Sequence, residues 1–135
     1  EPGDLFLEGV RNPEKQVVMG LAQEDFRRRA ERYAIDVTIG RFTLDDLRAA
    51  IAAGKTAVVL ISGYHMFGKK VPHWVLAHGD DGRHIVIHDP WVADERGETV
   101  ADAASLPIPY ETFDRIARFG KVGLRAAVFL SRREA

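Results

Sequence analysis

Histidine is concentrated in one short stretch of this chain, VPHWVLAHGDDGRHIVIHDPW at residues 71–91, which holds four of its five histidines. The stretch closes on Asp89, Pro90 and Trp91. An imidazole paired with a carboxylate can accept and release a proton, because the carboxylate fixes its tautomer and stabilises the protonated ring. Neighbouring imidazoles can instead bind a metal ion. A third interpretation is that these histidines are polar residues on the exposed face of a sheet.

The stretch has the pattern of a β-hairpin, with two apolar segments joined by DDG. A three-residue turn places Gly79 opposite Arg83 and therefore His73 opposite Asp89, on the apolar face that should pack on the core. Directly opposed residues have Cβ atoms about 5 Å apart, close enough for a hydrogen bond. The pattern therefore predicts a His73–Asp89 pair, whereas a two-residue turn would place His73 opposite Pro90 and separate the two side chains.

The opposite face of the predicted hairpin carries the other histidines. In the same register His78 faces His84, and Trp74 faces His88. Two imidazoles can hold zinc or copper, but a closed structural site needs about four protein ligands. A metal site at His78 and His84 therefore stays an alternative, while the favoured interpretation predicts neither a metal nor a cofactor.

The chain contains no cysteine. This excludes disulfides and a thiolate nucleophile from these 135 residues. No motif assigns a nucleophile's role to Ser62, Ser105, Ser131 or Thr43, and Thr43 is placed to cap a helix. A His–Asp pair in this chain is therefore a base without a nucleophile of its own.

Length and composition indicate one globular domain over residues 1–135, with 46% apolar and 29% charged residues. A net charge of −1 gives no reason to expect a nucleic-acid or membrane partner. The chain has no apolar run of about 20 residues and no signal-peptide pattern, so we expect a cytoplasmic protein. The expected partner is a peptide or protein.

Strand and helix patterns are mixed along the chain. Strands are predicted at 4–10, 35–39, 56–63, 73–79, 83–89 and 124–131, helices at 13–33, 43–54 and 109–120, and loops at 64–70 and 93–105. The later strands follow one another and are linked by a hairpin. This order predicts an α+β fold with a mainly antiparallel sheet flanked by helices.

The segment PHWVLAHGDDGRHIVIHDP resembles the His-to-Asp segment of papain-like cysteine peptidases of the double-glycine leader (bacteriocin-processing) type. GDLFLEGVRNPEK, GKTAVVLISGYHMFGKKVPHWV and IPYETFDRIARFGKVGLRAAVFLS resemble a bacterial branch of peptidase-like proteins in that superfamily. The resemblance thus covers most of the chain. It implies a partial papain-like fold and thiol-dependent hydrolysis of peptide bonds.

The resemblance also implies residue roles. His73 corresponds to the general base and Asp89 to the residue that orients it, with Trp74 beside the base and Pro90 fixing the strand exit. The family's nucleophile is a Cys in a Cys-Gly-Pro context, preceded by a Gln of the oxyanion hole, and nothing here corresponds to either. We expect the chain to begin after that segment and to be inactive alone. A Cys-bearing N-terminal segment or a second copy is the expected partner.

Three residues are predicted to contact a substrate: Lys69 in the loop beside His73, Trp74, and Trp91. Trp91 shields the His–Asp pair from water in this interpretation, and packs in the core in the alternative one. If the cysteine segment was lost in evolution, the same groove would hold a peptide without cutting it. A non-catalytic peptide- or protein-binding module is therefore the alternative function.

Overall fold

The structure is a computed structural model that describes residues 10–69 and 71–133, without the side chain of Phe67. The chain divides into two compact units, residues 1–40 and 41–135. The strand predicted at 4–10 lies outside the described residues except for Val10. The expectation that residues 1–135 form one domain stays a prediction.

The first unit contains helix α1, Pro13–Arg32. It begins as predicted: the Asn12 side chain accepts a hydrogen bond from the Lys15 N–H at 3.1 Å, and proline occupies the first turn, where its missing N–H costs nothing. Neither α1 nor any other helix in the described part of the chain is long and apolar enough to cross a membrane.

The strand predicted at residues 35–39 is wrong. These residues are irregular, and none of the strand ladders in the described ranges includes them. Alternation of apolar and polar residues does not by itself make a strand, because the backbone N–H and C=O groups of a strand need a partner.

The second unit is built on a five-stranded sheet of order β4-β3-β2-β1-β5, antiparallel throughout. Its elements are α2 Leu44–Ala52, β1 Thr56–Ser62, α3 Gly63–Phe67, β2 Pro72–Asp80, β3 His84–His88, a 3₁₀ turn Asp94–Arg96, β4 Leu106–Pro109, α4 Tyr110–Ile116 and β5 Ala127–Leu130. The predicted α+β class with a mainly antiparallel sheet is confirmed, and it is compatible with a partial papain-like fold.

One face of this sheet forms the core. Its buried side chains belong to three strands, and helices α2 and α4 cover them with Leu47 and Phe113. The strand residues are Val59, Ile61, Val75, Ala77, Ile85 and Ile87. Side chains alternate along a strand, so His73 shares this face with Val75 and Ala77. The candidate base therefore lies at the edge of the core.

Several elements of the second unit differ from the prediction. The helix predicted at 109–120 ends at Ile116, and the strand predicted at 124–131 begins only at Ala127. Residues 63–67, expected mostly as loop, form the short helix α3, which ends at Gly68 in the left-handed conformation (φ 72°). Strand β4 was not predicted at all. It pairs with β3 at the edge of the sheet, where Pro107 and Pro109 are tolerated because an edge strand leaves some N–H groups unpaired anyway.

Candidate active site

Strands β2 and β3 pair in a register that differs from the predicted one. Leu76 lies opposite His88 and Ala77 opposite Ile87, and a bulge follows between Ala77 and Gly79. The predicted pairing of Gly79 with Arg83 is wrong, since Gly79 lies opposite Val86. On the side of the bulge that leads to His73 and Asp89 the strands have slipped by two residues, and an even slip keeps these side chains on their predicted face. Between the bulge and the turn the slip is three residues.

The turn explains much of this slip. The Asp80 carboxylate accepts a hydrogen bond from the Gly82 N–H at 2.9 Å. The Asp81 carboxylate accepts from the N–H groups of Arg83 and His84 at 2.9 and 2.7 Å. Aspartates favour such turns because their side chains bond the backbone two or three residues on. The two aspartates thus hold a turn that lies further along the chain than DDG.

The predicted contact between His73 and Asp89 is present. His73 Nε2 lies 2.6 Å from Asp89 Oδ1, and the two side chains are 13% and 7% exposed. The geometry is not the predicted one, because continuing the observed register past β3 brings Asp89 level with Val75. His73 therefore reaches Asp89 diagonally, a distance that long side chains on one face can span.

Backbone groups fix the position of Asp89. Its Oδ1 atom also accepts the Trp91 N–H at 2.8 Å, across Pro90. Its own N–H donates to the carbonyl oxygen of Ala103 at 2.9 Å. A carboxylate can only accept, so the geometry assigns the ring proton of neutral His73 to Nε2. The carboxylate is thereby held as an orienting partner for the imidazole.

A groove of about 390 Å³ opens beside this pair. Its walls are apolar at Met66, Val71 and Trp91. Apart from the pair, its charged lining residues have both signs: Lys69, Arg96, Glu95, Glu98 and Asp102. The Trp91 side chain is 58% exposed, so the interpretation that it packs in the core is wrong. The structure therefore brings Lys69 and Trp91 to the same groove as His73 and Asp89, although their role in substrate binding stays a prediction.

Trp74 lies elsewhere. It pairs across the sheet with Leu60, on the face opposite to His73, and its side chain is 41% exposed. It is not among the residues that line the groove. A peptide in the groove would meet Trp91 rather than Trp74.

The histidines of the outer face do not pair as predicted. His78 stacks on His88 with ring centroids 3.9 Å apart, and the His84 ring nitrogen Nδ1 lies 2.8 Å from Asp81 Oδ2. Leu76, not Trp74, lies opposite His88. Among the described residues, no group of three or more His, Cys, Asp or Glu side chains is placed to hold a metal ion. The geometry gives no support to a metal site at His78 and His84.

Two residues of the site were missed at the sequence level. His88 Nδ1 accepts the backbone N–H of Ser105 at 2.9 Å, directly beside Asp89. The sequence pattern places His88 on the outer face of the hairpin and gives the loop residue Ser105 no role. No sequence signal marks the Ser105 backbone, which has φ 53° although the residue is not glycine.

The comparisons agree with the resemblance at the level of the family. The profile described as the Peptidase_C39 like family matches residues 1–131, almost the whole chain. The chain belongs to this family of peptidase-like domains. Comparison with curated proteins and with solved structures finds no match.

Removing the His73 side chain should destabilise the protein. Among the described residues, His73→Ala removes one of the two hydrogen bonds that the buried Asp89 carboxylate accepts and leaves it only the Trp91 N–H, which should lower the free energy of unfolding by about 1.5–3 kcal/mol. His84→Ala breaks a His–Asp pair that is much more exposed, so its effect should be clearly smaller. Urea unfolding followed by circular dichroism measures both variants. Equal losses would contradict the buried geometry of the His73–Asp89 pair.

The His78 ring should make the protein sensitive to mild acid. Burial, followed by the charge of His88, lowers the pKa of His78 from its ordinary value of 6.5. Its Nε2 atom is buried and has no hydrogen-bond partner in the part of the chain that the structure describes. The unfolded chain then binds the proton more readily than the folded one, so this ring contributes stability that is lost as the pH falls below about 6.5.

The matching test is His78→Phe, which keeps a stacked ring but removes the titration. Its free energy of unfolding should fall less steeply than that of wild type between about pH 7 and pH 5. Leu76→Met changes the same strand face without an ionisable group and should keep the wild-type slope. If the free energy of unfolding of His78→Phe depends on pH as steeply as that of wild type, the lowered pKa of His78 is contradicted.

Proposed function

We propose that this chain is the base-bearing part of a thiol-dependent peptide hydrolase of the double-glycine leader peptidase type, acting in the cytoplasm. His73 serves as the general base and Asp89 as its orienting partner. The observation that carries the proposal is the buried 2.6 Å contact between these side chains, on the wall of a groove large enough for a peptide segment. Membership of a peptidase-like family supports it.

The contact supports a direction for the proposed proton transfers. Asp89 engages Nε2 of His73. In this proposal, Nδ1 is the ring nitrogen that exchanges a proton with the reacting group. His73 takes the proton of a thiol, the thiolate attacks the peptide carbonyl, and His73 returns the proton to the leaving amine as the C–N bond breaks. Water then attacks the thioester while His73 accepts its proton, the C–S bond breaks to release the acid and the thiolate, and His73 returns the proton to the thiolate.

The thiol must come from outside these 135 residues, which contain no cysteine. Either a further segment of the same polypeptide or a second chain would supply it. These residues alone should bind a peptide without hydrolysing it. Lys69 and Trp91 are the groove residues we propose for contact with the peptide, the first through its charge and the second through its exposed ring.

A non-catalytic peptide-binding module is the second candidate. The missing cysteine favours it, because a groove and a His–Asp pair can survive in a domain that has lost its nucleophile. The two candidates differ in one property: the hydrolase cleaves the peptide that it binds, and the binding module does not.

The deciding experiment uses the full-length product of the reading frame that encodes this chain. It is incubated with fluorogenic peptides that end in Gly-Gly before the reporter group. We expect hydrolysis that iodoacetamide blocks and that His73→Ala lowers by a factor of about 10² to 10⁴, the usual contribution of a general base. His65→Ala, in the exposed part of α3, is the matched histidine control and should leave the rate unchanged.

Peptide binding without hydrolysis by the full-length product would support the binding module and contradict the hydrolase. Hydrolysis that survives His73→Ala would contradict the assigned role of His73. If the full-length product neither binds nor cleaves the peptides, both candidates for this substrate class fail.

A further inference from the structure

The end of β3 is attached to a neighbouring loop at two consecutive residues. The His88 ring accepts the Ser105 N–H at its Nδ1 atom, at 2.9 Å. The Asp89 N–H donates to the carbonyl oxygen of Ala103, also at 2.9 Å. The regular ladder between β2 and β3 ends at the pairing of Leu76 with His88. Beyond it, these two bonds hold the backbone of Asp89 against the 103–105 segment.

The hydrogen bond to His88 stabilises an unfavourable backbone conformation at Ser105. This residue has φ 53°, a left-handed conformation that is unfavourable for residues with a Cβ atom. A hydrogen bond from its N–H to the histidine ring stabilises that conformation. Because Nδ1 accepts, the neutral His88 ring carries its proton on Nε2.

The ring of His88 is itself held in place by packing. His78 stacks on it with an interplanar angle of 24°. Stacked aromatic rings restrict each other's rotation, so Nδ1 stays directed at the Ser105 N–H. Among the described residues, the buried Nε2 atom of His78 has no hydrogen-bond partner, which indicates that His78 acts here through packing.

We infer that His88 and Ser105 are positioning residues for the His73–Asp89 pair: the ring of His88 fixes the 103–105 segment, and Ala103 in that segment fixes Asp89. The importance of the pair for hydrolysis rests on the proposed function. The positioning itself is a claim about geometry, and it can be tested in this chain without any activity.

The test measures how fast the His73 ring proton on Nε2 exchanges with water, by nitrogen-15 NMR. His88→Asn places an amide oxygen close to the position of Nδ1, whereas His88→Gln places it one bond too far. Both variants lose the stack on His78 equally, so their difference isolates the acceptor position. We expect exchange close to the wild-type rate in His88→Asn, and at least about tenfold faster in His88→Gln.

A second substitution provides a rescue. Glycine adopts a positive φ without strain, so Ser105→Gly makes the bond to His88 dispensable. The double variant His88→Gln/Ser105→Gly should return the exchange rate of the His73 proton toward wild type. If His88→Gln alone does not fold, recovery of folding in the double variant supports the inference, and failure to recover contradicts it.

Two further results would overturn the inference. Equal rates in His88→Asn and His88→Gln would show that the acceptor position does not matter. An equal acceleration at the buried amide of Val59 in β1 would show that His88→Gln loosens the whole sheet rather than the pair. A failed hydrolysis assay leaves this test intact, so the two proposals fail independently.

Discussion

The pairing of β2 with β3 is the constraint on which the candidate site depends, because these strands carry His73, the candidate base, and lead directly into its partner Asp89. Near the turn, Asp80 accepts hydrogen bonds from Arg48 of α2 and from the hydroxyl of Tyr110 in α4. The Arg48 guanidinium also lies 4.7 Å from the centre of the Tyr110 ring. The hydrogen bond from Tyr110 is the main cause that lowers the pKa of Asp80 and keeps it an acceptor. The hairpin is therefore tied to both helices that cover the core.

In this arrangement, the buried core makes the site rigid and the groove makes it accessible. The core face supplies rigidity, since Val75, Ile85 and Ile87 are buried beneath the hairpin. The groove face supplies access, through exposed side chains such as Trp91. His73 and Asp89 lie where the two meet, with little water around them. A carboxylate in such surroundings interacts more strongly with an imidazole than it would at the surface. The described residues thus place the candidate base in largely buried surroundings beside a carboxylate.

The sequence predicts the His73–Asp89 pair correctly, although the register from which it is predicted is wrong. The alternation of side chains along each strand puts His73 and Asp89 on the core face. The predicted register is wrong, but a slip of two residues leaves both side chains on that face, so they still meet. Local signals were dependable elsewhere too: Thr43 accepts the Asp46 N–H and Asp46 accepts the Thr43 N–H, as a helix cap should.

Features that depend on distant contacts were not predictable. The left-handed Ser105 is one, because its N–H meets a residue 17 positions away. Strand β4 is another, because a segment with two prolines forms a strand here only by pairing with β3 at the edge of the sheet.

The central claim is that Asp89 holds the His73 imidazole through Nε2. Long-range proton–nitrogen NMR spectra of this chain, recorded at a pH where the ring is neutral, report directly which ring nitrogen carries the proton. We predict the Nε2-protonated tautomer in wild type, and a loss of that preference in Asp89→Ala. A wild-type ring protonated at Nδ1, or a tautomer ratio that Asp89→Ala leaves unchanged, would contradict the pairing and with it the assigned role of His73 as a base.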